Sequence, residues 1–335
     1  MAIWAGTSIN TDELSAVFNQ VFNRKFIDQV SDKKGLLEVV LGKPSPNPDG
    51  AGSKAFQRMK KITGRKIEVK LLGNYKSIGT IADGAAEVAS TVGAVVEKYG
   101  AAEFDLTHFN DQHWVAKSQY DRFRGDEAKT VNFMQDEFDW LMASWAETLA
   151  AGISGTANQS RQFLGSWEYA VTNDNTYGTI DRSEAGNIDF RGYEKDSFGA
   201  FTLDALQTEY TTLKAQEAKP DLMIGSATVY NLVVKALRDE GTLQYKYASD
   251  GKVAAGGASF AWQGMDLILD PHTTSGVLGL LESKSFVLYM EDSGMNPSAI
   301  VDHSKKAAML INLDGWAGFI CVIPKHNGKM NGVTA

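Results

Sequence analysis

GDEAKTVNFMQDEFDWLMASWAETLAAG, residues Gly125 to Gly152, carries the pattern on which the fold turns. Val131, Met134, Phe138, Leu141, Met142, Trp145 and Leu149 recur three and four residues apart. That spacing lays them along one face of a helix of 3.6-residue period. Asp126 and Glu127 stand where acids favour a helix start, and Gly152 reads as its stop. At 1.5 Å per residue such a helix runs roughly 40 Å, more than most globular domains need. It is either a strut or a long core helix of a large enzyme, and the flanks must decide. The acids Asp136, Glu137 and Asp139 read as a solvated face.

Before this helix the chain offers segments that cannot bury themselves. Leu14, Val17, Phe18, Val21, Phe22 and Ile27 follow a helical period, with Asn10 or Thr11 placed to cap it. The following GKPSPNPDGAGS, Gly42 to Ser53, holds three of the seven prolines and reads as an extended link. The first forty residues are therefore an arm that needs an apolar partner elsewhere, on this subunit or another. KIEVKLL, Lys66 to Leu72, alternates as a half-exposed strand does. After the small-residue stretch Gly73 to Gly93, AVVEKYGAAEFDLTHF (Ala94 to Phe109) supplies return strands. Two strands around a long excursion predict a protruding hairpin, marginal alone and expected to lie on a neighbour.

After the helix comes QFLGSWEYAVTNDNTYGTIDRSEAGN, Gln162 to Asn187, rich in turn residues. Thr202 can cap a helix bearing Leu203, Leu206, Tyr210 and Leu213, which Pro220 ends. DLMIG (Asp221 to Gly225) reads as a short buried strand. Ser226 then caps a helix bearing Val229, Leu232, Val233 and Leu237. SFAWQGMDLILD alternates either side of Gly264, and GVLGLLE and SFVLYMED add strands, so residues 200 to 300 read as one compact α/β unit. AAMLINLDGWAGFICVIP, Ala307 to Pro324, is a long apolar strand pattern that must be buried. No internal repeat of 20 to 50 residues is visible.

Composition narrows the function classes. The chain has 335 residues, 43% hydrophobic and 22% charged, enough for a sizeable core or for two or three compact regions. No apolar run reaches the roughly 18 to 20 residues that span a bilayer. The N-terminus lacks the n- and h-regions of an export signal, so folding in the cytoplasm is the expectation. A lone cysteine, Cys321 within FICVI, excludes an intrachain disulfide and reads as an inert buried thiol. The net charge of -8 argues against a protein whose main work is gripping nucleic acid.

No residue constellation nominates a catalyst. His108 and His113 in THFNDQH lie near Asp105 and Asp111, but five positions apart they converge on neither a helix nor a strand face. They read as exposed loop histidines, and His272 in DPHTT as solvent-facing. No GxGxxG after a strand, GxxxxGK[ST] or GxSxG is present, and KVAAGGAS (Lys252 to Ser259) reads as a loop. No cofactor or metal is expected.

The order of parts resembles tailed-bacteriophage major capsid proteins of the Hong Kong 97-like fold. NTYGTIDRS, Asn175 to Ser183, is similar to that family's Tyr-Gly-x-Ile-Asp-Arg-Ser segment, and FLGSWEYAV before it is similar to the short helix or turn that precedes it. PDLMIGSATVYNLV, FAWQGMDLILDP and GVLGLLESKSFVLY resemble the family's later units, so the likeness spans roughly Gly125 to Pro324. It implies an α+β chain with an N-terminal arm at 1–45 and a linker and extended loop at 46–125. A peripheral domain with a spine helix would take 126–199 and 301–335, and an axial domain 200–300. Tyr177, Gly178, Asp181 and Arg182 become structural or assembly candidates, with Arg182 expected to meet acids of its own chain or of a neighbour.

The resemblance further implies hexamers and pentamers tiling an icosahedral shell around double-stranded DNA held without sequence-specific binding. Assembly would occur in the host cytoplasm, without a membrane, and scaffold, portal or decoration proteins would be partners. Many relatives carry a long N-terminal scaffold region, whereas this chain starts almost at the arm, so a separate scaffold, none, or trimming is expected. Some relatives form Lys–Asn cross-links, for which Lys76 with Asn327 or Asn331 supplies the residue types. Two alternatives stay open. One is an encapsulin-like nanocompartment, and the other a cytoplasmic α/β enzyme with its site near the Ser226 helix start.

Overall fold

The computed structural model describes residues 59–62, 66–72, 99–116, 118, 127–158, 160, 162–163, 165–184, 187, 190–240, 244–245, 260–291, 296–303 and 308–335. The arm and link at 1–53, the excursion at 73–93, Lys76 and the loop at 252–259 lie outside them.

In chain order the first strands are β1 (Met59–Ile62), β2 (Lys66–Leu72), β3 (Tyr99–Asp105) and β4 (Thr107–Ala116). The long helix α1 (Glu127–Ile153) and a one-turn helix α2 (Trp167–Val171) follow. Short strands β5 (Thr176–Tyr177), β6 (Ile180–Asp181), β7 (Tyr193–Lys195) and β8 (Gly199–Ala200) lead to α3 (Leu203–Ala215). Next come β9 (Leu222–Gly225), α4 (Ala227–Asp239), β10 (Gln244–Tyr245), β11 (Phe260–Trp262), β12 (Met265–Leu269) and β13 (Leu278–Leu281). The chain closes with β14 (Phe286–Glu291), β15 (Asn296–His303), β16 (Ala308–Cys321), β17 (Gly328–Met330) and β18 (Val333–Thr334).

Among the described residues these strands form two main sheets. One is built on β16, the long apolar strand expected from sequence. Along one edge of β16 lies β4, antiparallel from Ala308↔Ala116 to Ala317↔Thr107. Along the other lie β15 and then β14, also antiparallel, and β1 pairs parallel to β14 beyond it. The second sheet runs β10–β11–β12–β9–β13–β17–β7. Its α3 and α4 place Leu206, Leu213, Val229, Val233 and Leu237 against Met223, Met265, Leu278 and Leu280, all of them buried.

The helix α1 spans 27 residues and places Leu141, Trp145, Ala146, Leu149, Ala150 and Ile153 in one core with Ala317, Phe319, Ile320 and Cys321 of β16. The predicted apolar face is therefore buried where it is described; the side chains of Val131, Met134, Phe138 and Met142 lie outside the description. The predicted stop at Gly152 is corrected. Buried Ile153 carries the helix one residue further, and the chain leaves it at Gly155, whose φ of +83° suits a residue without a Cβ.

Residues 200 to 300 do not make one sheet. SFVLYMED leaves the second sheet as β14 and joins β16, while residues 328–330 from the chain end return to the second sheet beside β13. Strand β14 is buried at five of its six positions, so its apolar run fits a central place in either sheet, and only tertiary pairing decides. The hairpin β2–β3 forms as expected, in register from Lys66↔Asp105 to Leu72↔Tyr99. Its base, however, does not wait for another subunit. Ile67, Val69, Ala102 and Phe104 are buried in the same core as α1.

Candidate functional site: the junction at residues 167–191

The segment TYGTID folds into a two-strand turn, β5 against β6, with Tyr177 opposite Ile180. Gly178 takes φ +61°, the left-handed region that a turn of this tightness demands. A Cβ there would lie 2.9 Å from Phe104 Cζ and 3.0 Å from the Glu103 carbonyl oxygen, so β3 closes directly over the glycine. Beside it the Glu103 amide donates to Thr179 Oγ1 at 3.2 Å. Tyr177, fully buried, meets Phe104 edge-on at 4.9 Å, and its hydroxyl accepts the Cys321 amide at 2.7 Å. Burial drives that hydroxyl well above the ordinary phenol range, so it stays protonated. Glu103, Phe104, Tyr177, Gly178, Thr179 and Cys321 thus join the hairpin, the turn and the end of β16.

Arg182 has no exposed surface. Its Nη1 donates to the Ala170 carbonyl at 2.6 Å, one Nη2 bond reaches the Tyr169 carbonyl at 3.0 Å, and Nε reaches the Asn175 carbonyl at 3.2 Å. Nη2 also donates to Asn175 Oδ1, and the guanidinium lies 4.9 Å from the Tyr177 ring centroid. The expected pairing with acids is therefore corrected. The fork caps the last carbonyls of α2, where the helix dipole favours a cation. Burial lowers the guanidinium's pKa below its ordinary value. Asp181, next in sequence, is exposed instead. Its carboxylate accepts the Ser183 hydroxyl at 2.6 Å and the Ser183 amide at 2.9 Å, which hold its pKa below the ordinary value. Arg191 reaches back to the carbonyls of Arg182 and Ser183 and closes the loop.

Helix α2 ties this turn to the second sheet. Ser166 caps it by accepting the Tyr169 amide, and Trp167 is fully buried against Gly279 of β13, where an added Cβ would lie 2.8 Å from the indole. Buried Glu168 accepts the Thr274 amide at 2.8 Å. At the far end of α2, Lys329 of β17 donates to Thr172 Oγ1 at 2.9 Å and meets Glu194 at 2.7 Å. Burial penalises the Glu194 carboxylate, yet Lys329, the Asn173 amide and Asn331 outweigh it and hold its pKa below the ordinary value.

His108 is exposed as expected, but the loop assignment of THFNDQH and the solvent-facing readings of His113 and His272 are corrected. The segment THFNDQH is strand, not loop. His113 is half-buried and 2.7 Å from Glu137, so that acid is not simply solvated, whereas Asp136 is exposed. His108, on the opposite strand face, stacks on Trp316 at 4.3 Å and meets Asp314. His272 is not solvent-facing but 2.9 Å from Glu147 of α1, and His326 is 2.8 Å from Glu282. Ser226 stands at the N-terminus of α4 without capping it by its side chain. Asn327 is fully buried, its amide donating to the Ile323 carbonyl at 2.7 Å and accepting from the Glu282 amide at 2.8 Å, so it does not suit a cross-link. Asn331 is engaged with Glu194 at 2.9 Å. Burial pushes the Cys321 thiol up to about 12, which makes it the inert thiol expected.

Sequence reading missed Glu194, Lys329 and Glu168, whose partners lie 135, 135 and 106 positions away. Their only signal was a charge inside a short apolar or turn-rich stretch. Among the described residues no group of three or more His, Cys, Asp or Glu is gathered as a metal site would need.

No protein-family model matches the chain, and no curated protein matches it in sequence. Solved structures do match in shape. A capsid subunit of cyanophage A-1(L) superposes with a TM-score of 0.54 at 11% identity, over 83% of this chain and 91% of its own. The procapsid of satellite phage P4 gives 0.54 at 10% identity, over 99% and 93%. The encapsulin of Synechococcus elongatus gives 0.52 at 12% identity, over 87% and 91%. With its long helix, two sheets and base-anchored hairpin, this chain has the α+β Hong Kong 97-like capsid fold.

Proposed function

We propose that this chain is a major capsid protein of a tailed phage, a structural subunit without catalysis. It assembles as hexamers and pentamers into an icosahedral shell around double-stranded DNA. The observation that carries the reading is the similarity in shape of 83% and 99% of the chain to two phage capsid structures, each also covered over more than nine-tenths of its length. In this reading α1 is the spine of the peripheral domain and α3, α4 and the second sheet form the axial domain. Tyr177 and Gly178 join the hairpin to the peripheral sheet, Arg182 anchors helix α2, through which the peripheral domain meets the axial sheet, and Asp181 orders the adjoining loop. A net charge of -8 suits a container that must not adhere to the DNA it encloses. Obligate subunit contacts of this kind commonly exceed about 2,000 Å² and close into rings when heterologous.

Electron microscopy of the purified chain tests the reading. Shells, tubes or hexameric rings are expected, and a stable compact monomer would sink it. Shells recovered from the native source with enzyme cargo instead of DNA would move the assignment to a nanocompartment. Deleting Gly73 to Gly93 is expected to abolish assembly while the circular dichroism of the folded core stays near native.

A further inference from the structure

We propose that the Gly178–Thr179 turn is the fulcrum that sets the direction in which the β2–β3 hairpin leaves the body of the subunit. The consequence for assembly rests on the shell reading; the fulcrum itself does not.

A two-stranded hairpin is only marginally stable on its own. This one is weakened further, because Glu68 and Glu103 face each other directly across the strands. The exposed Lys66–Glu103 pair, at 3.8 Å, offsets little of that. What orders the hairpin is its inner face, and the end of β3 rests on the turn. Gly178 lies under Phe104 and Ala102 with no room for one more carbon. Thr179 Oγ1 holds the Glu103 amide, an outward-facing β3 position that the β2 ladder leaves available to it. The turn in turn cannot shift, since Tyr177 is bonded to β16 and Arg182 to α2. A rigid support under one end of the two paired strands converts a small local change into a larger displacement at their other end, Leu72 and Tyr99. The hairpin's direction, and through it the angle between neighbouring subunits, is therefore set at residues 178 and 179.

The test uses the full chain with spin labels at Leu72→Cys, the last residue of β2, and at exposed Ser144→Cys, diluted into excess unlabelled chain. The buried Cys321 thiol stays unlabelled. Thr179→Val, which removes the acceptor at constant shape, is expected to broaden the distance distribution. Gly178→Ala is expected to shift its mean by several ångströms, and Thr179→Ser to restore the parent distribution. Far-UV circular dichroism should stay at the parent level in the Thr179 variants. If Thr179→Val leaves the distribution unchanged, the fulcrum is overturned, whatever Gly178→Ala does to folding. Assembly is read separately on the same proteins. Altered shell sizes or open sheets from the displaced variants support the consequence for curvature, and parent-sized shells from them overturn it. If the parent itself forms no shells, the shell reading falls and the distances alone decide the fulcrum.

Discussion

Two cations approach the same end of helix α2, and the chain satisfies them in opposite ways. Arg182 is served by carbonyl oxygens and an amide oxygen, with no carboxylate among its hydrogen-bond partners. Lys329 sits on the carboxylate of Glu194, both side chains less than a tenth exposed. Neutral acceptors suit a planar fork of several donors, whereas a compact ammonium needs a concentrated opposite charge to leave water. The first arrangement holds at any pH the fold survives. The second depends on a titrating acid.

The largest expected effect comes from breaking the Arg182 side. Arg182→Met takes the side-chain donor from the Ala170 carbonyl and one donor each from the carbonyls of Tyr169 and Asn175, which keep the amides of Thr172 and Arg182. At about 1.5–3 kcal/mol for each hydrogen bond to a charged group, the variant should lose much of its stability to urea. Arg182→Lys should recover only part, because one ammonium cannot reach three divergent acceptors. Breaking the other side is expected to cost about 3–5 kcal/mol at pH 7, since Lys329→Met strands a buried carboxylate. Adding Glu194→Gln should return much of the loss, and urea midpoints of the single and double variants measure the coupling.

A third measurement sharpens the contrast through pH. Glu194 and Glu282 have folded-state pKa values below the ordinary 4.5, burial being outweighed by Lys329 and by His326 respectively. The stability they contribute is therefore present above about pH 4.5 and is lost as pH falls through their folded values. Glu194→Gln should flatten that acid limb, while the Arg182 contribution stays constant across it. The smallest effect is expected from Tyr177→Phe, which removes one buried hydrogen bond to the Cys321 amide and should cost about 1–3 kcal/mol, read as a lowered thermal midpoint.

Much of this was legible because local rules write themselves into neighbouring residues. The period of Leu141, Trp145 and Leu149, the alternation of KIEVKLL and the cap at Thr202 each need only a few residues of context. The motif NTYGTIDRS falls at the junction, with Gly178 at its tight turn. Its partners were not legible. Arg182 was expected to seek an acid, because a sequence displays carboxylates but not the loose carbonyls at the end of a one-turn helix. The histidines looked like loop residues because the polar run Asn110 to His113 interrupts the apolar alternation of β4 between Phe109 and Val115, and α1 answers His113 with Glu137. Ser226 occupies a cap position, and only its backbone and side-chain geometry reveal that it does not cap.

By itself, then, the sequence determined the elements: a 27-residue helix, a long buried strand, an alternating hairpin and a tight glycine turn. These follow from short-range periodicity and backbone sterics, which act between residues close in the chain. The tertiary structure alone decided which sheet took β14, where the chain end returned, and how the buried charges of Arg182, Glu194 and Lys329 were met. Those outcomes depend on contacts that short-range periodicity does not encode, from the 12 positions between Arg182 and Ala170 to the 135 between Glu194 and Lys329, and desolvation is settled only when the last of them forms.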